Sequence, residues 1–394
     1  MNEKNVQLGK VRSSIRELFE YGKKRKAEIG EENVFDFSLG NPSVPAPDEV
    51  AEALLSIIKD TDPVLLHGYT SAPGDFSVRK TLADYINSRF NTTLTADNLY
   101  MTCGAAASLT ITLNALLNAG DEVITFAPYF PEYKVFTEHA GGKLIAVESE
   151  ENTFRIDFKK LEKALNAKTK AVIINSPNNP SGVVYSEEEV ASLAHILGET
   201  EKKYGTQIYL ISDEPYRELV FDRAVKLPYI MNHYKRSIVC YSYSKSLSLP
   251  GERIGYIAVS NQMQECADVY AAVCGAGRAL GFVCAPNLFQ QLVARVYDKT
   301  ADISIYKNNR DRLLVALESY GYTVVKPEGA FYMFVKALEP DAKAFAERAK
   351  EYELLLVAGD DFGCKGFVRI SYCVAPEMIE RSLPAFKKLA ESYK

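Results

Sequence analysis

The sequence predicts an α/β fold, a large domain with a mainly parallel seven-stranded sheet flanked by helices plus a smaller α+β domain, and three observations carry that expectation. Seven short runs rich in β-branched residues, YMTC, EVITFA, KLIAVE, AVIIN, IYLISDE, SIVCYS and IGYIAV, follow one another after Pro47. Segments of helix length, with apolar residues at helical intervals, separate them. After about Pro286 the texture changes to a long helical stretch, then YTVVKPEGAFYMFVKA, a helix near Asp341 to Tyr352, and GFVRISYCV before a final helix. Continuous apolar runs bounded by helix-length spacers mark parallel strands buried on both faces, because a crossover helix covers each side. Strands grouped with helices outside that alternation mark an α+β unit.

The elements follow in order. Ser14 and Glu17 have capping-box spacing ahead of Ile15, Leu18 and Phe19, and Gly30 offers a stop, so an amphipathic helix is expected there. The basic run Lys23 to Lys26 is its solvated face. Ser186 and Glu189 repeat the spacing before Val190, Leu193 and Leu197, placing a crossover helix between AVIIN and IYLISDE. The expected division is a large domain over 47–285 and a small one made of 1–46 and 286–394. No Pro/Gly/Ser-rich linker separates them, so tight packing is expected.

Composition excludes several functions. The 394 residues carry 46 Lys and Arg against 51 Asp and Glu, a net charge of −5 that argues against a broad nucleic-acid footprint. No apolar run approaches the roughly 20 residues that span a bilayer, and the first residues lack a signal-type core, so a cytoplasmic protein without a membrane partner is expected. The seven cysteines form no C-x-x-C pair and read as reduced core residues, and the four histidines lack metal-ligand spacing.

Chemistry concentrates in a few segments. In SYSKSLSLPGERIGYIAV, Lys245 follows a buried strand among Ser242, Ser244, Ser246 and Ser248 and precedes Arg253. A lysine at the carboxyl end of such a strand stands where open α/β sheets bind ligands, and burial there lowers its pKa toward nucleophilic use. In ISDEPYREL, Asp213 ends a strand and Tyr216 follows it; alone, this aspartate reads as well as a helix cap. INSPNNPSG is a turn by composition, with Asn179 able to present its amide to a ligand oxygen. TCGAAASLT joins strand to helix through Gly104, leaving the amides of Ala105 and Ala106 open to a phosphate, or else making a tight structural turn.

With S-x-S-K-x-x-x-L-x-G-x-R around Lys245, and with N-N-P-S-G, S-D-E-x-Y and F-V-R-I-S in that family's order, the chain resembles the class I and II aminotransferases, the aspartate aminotransferase-like branch of fold type I pyridoxal-phosphate enzymes. The resemblance covers nearly the whole chain. It implies that Lys245 holds pyridoxal 5'-phosphate as a Schiff base, that Asp213 pairs with the ring nitrogen, and that Tyr216 and Asn179 bond the phenolic oxygen. It implies that Phe130, in APYFPEY, stacks on the ring. The phosphate would lie on the Ala105 and Ala106 amides, the Ser242 and Ser244 hydroxyls and Arg253. Alanines leave only main-chain donors where many relatives carry a hydroxyl or a lysine. Tyr69, in HGYTSAPG, would reach the phosphate of a second subunit, which implies a homodimer with shared active sites. Arg369 would grip the substrate carboxylate with the Gly40 amide, and Phe331 would line the pocket.

Arg278 stands roughly where some relatives place an arginine for a side-chain carboxylate, and reads equally as a surface residue. Ala358, in AGDDFG, replaces a proline common in relatives, which alters the expected pocket wall. The implied reaction is ping-pong transfer of an amino group between an L-amino acid of aspartate or aromatic type and a 2-oxo acid, with glutamate and 2-oxoglutarate as one pair. The alternative on the same fold is a carbon–sulfur β-lyase. GAGRALG follows a helical segment, not a strand, so it does not read as a nicotinamide site.

Overall fold

The structure, a computed structural model, describes residues 1–10 and 14–394. Strand β1 (Phe35–Asp36) precedes the main sheet, which comprises β2 (Leu99–Thr102), β3 (Glu122–Ala127), β4 (Lys143–Glu148), β5 (Thr169–Asn175), β6 (Tyr209–Asp213), β7 (Ser237–Ser242) and β8 (Gly255–Val259). Later come β9 (Val324–Val325), β10 (Tyr332–Lys336), β11 (Leu354–Leu355), β12 (Val357–Ala358) and β13 (Phe367–Ser371). The main sheet runs in the order β2-β8-β7-β6-β5-β3-β4, so all seven expected runs lie in it. The pairs β7·β6, β6·β5, β5·β3 and β3·β4 are parallel, and β8 runs against both its neighbours.

Burial follows position in the sheet. Strands β6, β7 and β8 are buried at every residue, because helices cover both faces. β4 is only partly buried, as an edge strand with Lys143 and Glu148 at its ends. The crossover helix Glu187–Tyr204 has the expected capping box: the Glu189 amide donates to Ser186 Oγ at 3.2 Å and the Ser186 amide to Glu189 Oε2 at 2.8 Å. The first long helix spans Ser14–Ile29 and stops at Gly30, which takes φ +94°. Its Ser14 hydroxyl donates to Asp361 instead of capping its own helix, because a tertiary carboxylate lies within reach. GAGRALG falls in and just after the helix Cys266–Ala279, away from any strand–helix turn.

The second sheet is antiparallel in the order β12-β13-β10-β9 and packs with the helices Ser304–Tyr320 and Pro376–Glu391 around Phe331, Phe345, Leu317 and Phe386. The loop after β6 joins it: Leu219 packs in the same cluster, and its carbonyl accepts the Ala330 amide at 2.8 Å. Helix Asn287–Val296 packs instead on Asp48–Asp60 and Phe76–Phe90. Among the described residues, no helix is long and apolar enough to cross a membrane.

Register brings the chemistry together. Asn175 pairs with Asp213, and Asp213 with Cys240, while Gly255 lies opposite both Ser242 and Thr102. The carboxyl ends of β2, β5, β6 and β7 and the beginning of the reversed β8 therefore share one edge, where open α/β sheets take their ligands.

Candidate active site

Lys245 is set by the end of β7. The Ser242 hydroxyl accepts the Ser244 amide at 3.1 Å and donates to Ser244 Oγ at 2.7 Å, starting the single helical turn Tyr243–Ser246. From that turn the Lys245 amine reaches the Gly40 carbonyl at 2.7 Å and lies 5.5 Å from the Phe331 ring centroid. Burial pulls its pKa from 10.5 down to about 8; the neighbouring Arg253 and Arg369 add to the fall, and the Cys373 thiol opposes it. An amine in that state is a usable nucleophile and proton carrier near neutral pH.

Asp213 ends β6 and does not cap a helix. One carboxylate oxygen, Oδ2, accepts Tyr133 Oη at 2.6 Å; the other, Oδ1, is buried without a partner. Burial pushes its pKa from 3.8 up to about 7, against the Tyr133 hydrogen bond and with a further push from Glu214. The cofactor-free native state therefore binds a proton that the unfolded chain releases near pH 4. Stability is expected to fall as pH rises from about 4 to 7, by up to about 4 kcal/mol, since native protons outnumber unfolded ones in that window. Asp213→Asn should flatten this slope, which melting curves of the cofactor-free protein between pH 5 and 8 would reveal; an unchanged slope would contradict the assignment.

The turn after β5 is pinned from both ends. The Asn175 side chain donates to the Asp213 carbonyl at 2.8 Å and accepts the Asn179 amide at 2.7 Å. Asn179 Oδ1 in turn accepts Arg369 Nη1 at 3.1 Å, while Nη2 donates to the Ser38 carbonyl at 2.5 Å. Arg369 is 2% exposed, and its Nε has no partner. Its guanidinium carbon lies 4.7 Å from the Tyr332 ring and 4.9 Å from Phe362. Burial lowers its pKa, and the groups acting on its charge among the described residues are Tyr332, Tyr216 and Cys373, with no carboxylate. A buried guanidinium lacking an acid is an anion site held ready, because its charge is desolvated without compensation. Tyr216 Oη meets Tyr332 Oη at 2.9 Å, and burial holds its pKa well above 10.0.

At the other end, helix Ala105–Leu116 starts at Gly104, which takes φ +83°. A Cβ on Gly104 would come 2.9 Å from the Arg253 guanidinium, so only glycine admits that side chain over the helix start. Arg253 itself takes φ +52°, a strained conformation for a non-glycine residue. The first amides of the helix have no intrahelical acceptor, and with Arg253, Ser242 and Ser244 on neighbouring strand ends they are residues that could hold a phosphate-like anion.

A family model described as "Aminotransferase class I and II" matches residues 32–386. The chain belongs to the class I and II aminotransferase family. The crystal structure of an aminotransferase from Eubacterium rectale is 56% identical with a TM-score of 0.98, covering 100% of this chain and 99% of that one. Aspartate aminotransferase from Thermus thermophilus, solved with maleate, is 25% identical with a TM-score of 0.84 over 96% of this chain and 97% of its own. A probable aspartate aminotransferase from Methanocaldococcus jannaschii is 30% identical over 96% of this chain and 97% of its own length. The protein is an aminotransferase, and this family is generally dependent on pyridoxal phosphate.

Within this aminotransferase the expected site residues are not all neighbours. Lys245, Gly40, Phe331, Arg369 and Asn179 meet directly; Gly40 must lack a side chain, since a Cβ there would sit 1.8 Å from Tyr332 Oη. Phe130 contacts Tyr133 edge-on at 5.6 Å and lines an open groove of about 1610 Å³ shared with the helix Glu3–Lys10. Tyr69 is 100% exposed, and Arg278 lies on the exposed side of the helix Cys266–Ala279. Neither joins the other site residues within one chain. Sequence reasoning missed Tyr133, Asn175, Tyr332 and Cys373. Tyr133 is signalled only by its spacing from Phe130, and Asn175 by ending its apolar run. Ser38 acts through its carbonyl, which no side-chain pattern marks.

Proposed function

We propose that this aminotransferase binds pyridoxal 5'-phosphate through Lys245 and moves an amino group between an L-amino acid and a 2-oxo acid in two alternating half-reactions. The carrying observation is a pair of opposites at the one sheet edge that also carries Lys245: a buried guanidinium without an acid at Arg369, whose Nε has no partner, and a buried carboxylate oxygen without a donor at Asp213. The orphaned Asp213 oxygen fits a protonated ring nitrogen, and the helix start at Gly104 with Arg253 beside it fits a phosphate. Tyr216 and Asn179 would face the phenolic oxygen, Phe130 the ring face, and Ala105, Ala106, Ser242, Ser244 and Arg253 the phosphate.

When bound, the cofactor supplies an electron sink for the pair left behind as the Cα–H bond breaks. Arg369 fixes the substrate carboxylate through two parallel hydrogen bonds and so sets the direction of Cα–H. The Lys245 amine, with its pKa near 8, takes the proton from Cα and redelivers it. Asp213, ionised against a cationic ring nitrogen, keeps that nitrogen charged. The walls at Phe331, Tyr332 and Phe362 keep water from the Lys245 and Arg369 charges.

A homodimer with shared sites accounts for Tyr69. The segment that carries it is tied to the region around residue 284, since Cys284 Sγ donates to the Thr70 carbonyl and Asn287 to Leu65 and Leu66. Val64, Leu65, Tyr69, Phe76 and Val283 leave this region apolar and exposed, suited to a second copy. A donor of aspartate or aromatic type with glutamate and 2-oxoglutarate as one pair is the expected specificity. The test mixes the purified holoenzyme with each amino acid and follows loss of the visible band without an oxo acid, then its return when one is added. Release of pyruvate and ammonia with no acceptor would overturn transfer. If Arg278 reaches across the dimer to a side-chain carboxylate, Arg278→Ala should lose about tenfold or more in preference for aspartate over an aromatic donor; an unchanged profile removes it.

A further inference from the structure

Tyr332 is more than a wall of the site, because its side chain lies at a junction of three of its parts. Its hydroxyl meets Tyr216 Oη at 2.9 Å, and its ring packs 4.7 Å from the Arg369 guanidinium carbon. That same hydroxyl occupies the space beside Gly40, whose carbonyl takes the Lys245 amine at 2.7 Å. One buried side chain thus touches the groups that hold the substrate carboxylate, the phenolic oxygen and the reactive amine.

We propose that Tyr332 is a positioning residue with two separable jobs: its hydroxyl sets the donor direction of Tyr216, and its ring sets the plane of the Arg369 guanidinium. This rests on the cofactor assignment above. Between two phenols either oxygen can donate. Once Tyr216 donates to the ring's phenolic oxygen, its own oxygen becomes the acceptor, and Tyr332 is the neighbour aligned to donate to it. Hydrogen bonds in series strengthen one another, so Tyr332 makes Tyr216 the better donor. A better donor stabilises negative charge on the phenolic oxygen and loosens the proton on the nitrogen joining Lys245 to the cofactor. The charged and titratable groups facing this pair are Arg369, Asp213, Cys373, Tyr133 and Tyr372. All remain in a Tyr332→Phe variant, which deletes one oxygen and keeps the ring.

The ring's role is independent of the hydroxyl. A cation beside an aromatic face is held electrostatically, and burial strengthens that hold. Phenylalanine retains it and leucine does not.

The experiment titrates the visible absorbance of the holoenzyme with pH and measures KM for the amino donor in wild type, Tyr332→Phe and Tyr332→Leu, with bound cofactor and melting midpoint recorded for each. Tyr332→Phe is expected to raise the titration midpoint by about 0.5 to 1 pH unit while KM stays within about twofold. Tyr332→Leu should show the same rise and an increase in KM of about tenfold or more. A Tyr332→Phe midpoint equal to wild type overturns the hydroxyl's role, and a KM unchanged in the leucine variant overturns the ring's. A wild-type band that does not titrate overturns the hydroxyl's role, and a wild type that binds no cofactor and shows no visible band overturns the cofactor assignment, and this proposal with it.

Discussion

Lys245→Ala is expected to reduce turnover by about 10⁴-fold or more and to leave a protein whose visible band no longer titrates. A positioned general acid or base contributes about 10² to 10⁴ in rate by itself, and this residue is also the proposed covalent anchor. The fold should survive. In the structure the Lys245 amine is largely shielded from water, bonds one carbonyl at a half-buried position, and forms no ion pair among the described residues, so its charge is partly desolvated with little return. Alanine removes that burden, and the melting midpoint of the cofactor-free variant should equal or exceed that of wild type. A steady-state assay alongside a melting curve distinguishes a dead site from a broken fold. Turnover within tenfold of wild type would falsify the assignment of Lys245.

The main sheet was legible in the sequence because its strands are covered on both faces and so carry unbroken apolar runs, as in SIVCYS and IGYIAV. Strand order was not: nothing local says that β8 inserts between β2 and β7, since pairing is decided by contacts far apart along the chain. The site divides in the same way. Lys245, Asp213 and Arg369 stand at strand ends or within short motifs, so each could be marked individually. Tyr332 and Tyr133 matter through what they touch, at 2.9 Å and 2.6 Å, and their own segments carry no sign of it. Tyr69 and Arg278 are exposed on a single chain, and the contacts each makes there carry no sign of a role in the site. Local spacing gave the capping box at Ser186, whereas the Ser14 hydroxyl goes to Asp361, a residue distant in sequence that no local pattern marks.

Arg369→Met is expected to lower kcat/KM by about 10² to 10³, the loss that follows when one partner of a buried, hydrogen-bonded charge pair is removed from a complex. Its effect on the unliganded fold should be small, because two consequences oppose. Methionine relieves a desolvated cation and fills similar volume, which is neutral or favourable. It also strands the Asn179 Oδ1 and Ser38 carbonyl acceptors, each costing about 1 to 3 kcal/mol if water does not replace the donor. Arg369→Lys keeps the charge but not the fork, and cannot serve both acceptors and a carboxylate together, so its kcat/KM should lie between the two. The cleanest reading is ligand-linked stability. A non-reactive carboxylate at 100 times its dissociation constant adds about 2.7 kcal/mol to a protein that binds it only when folded. Wild type should gain a higher melting midpoint under that condition, Arg369→Lys a smaller rise, and Arg369→Met none. If Arg369→Met gains as much as wild type, the carboxylate is held elsewhere, and the buried guanidinium serves only its two neighbouring carbonyl oxygens.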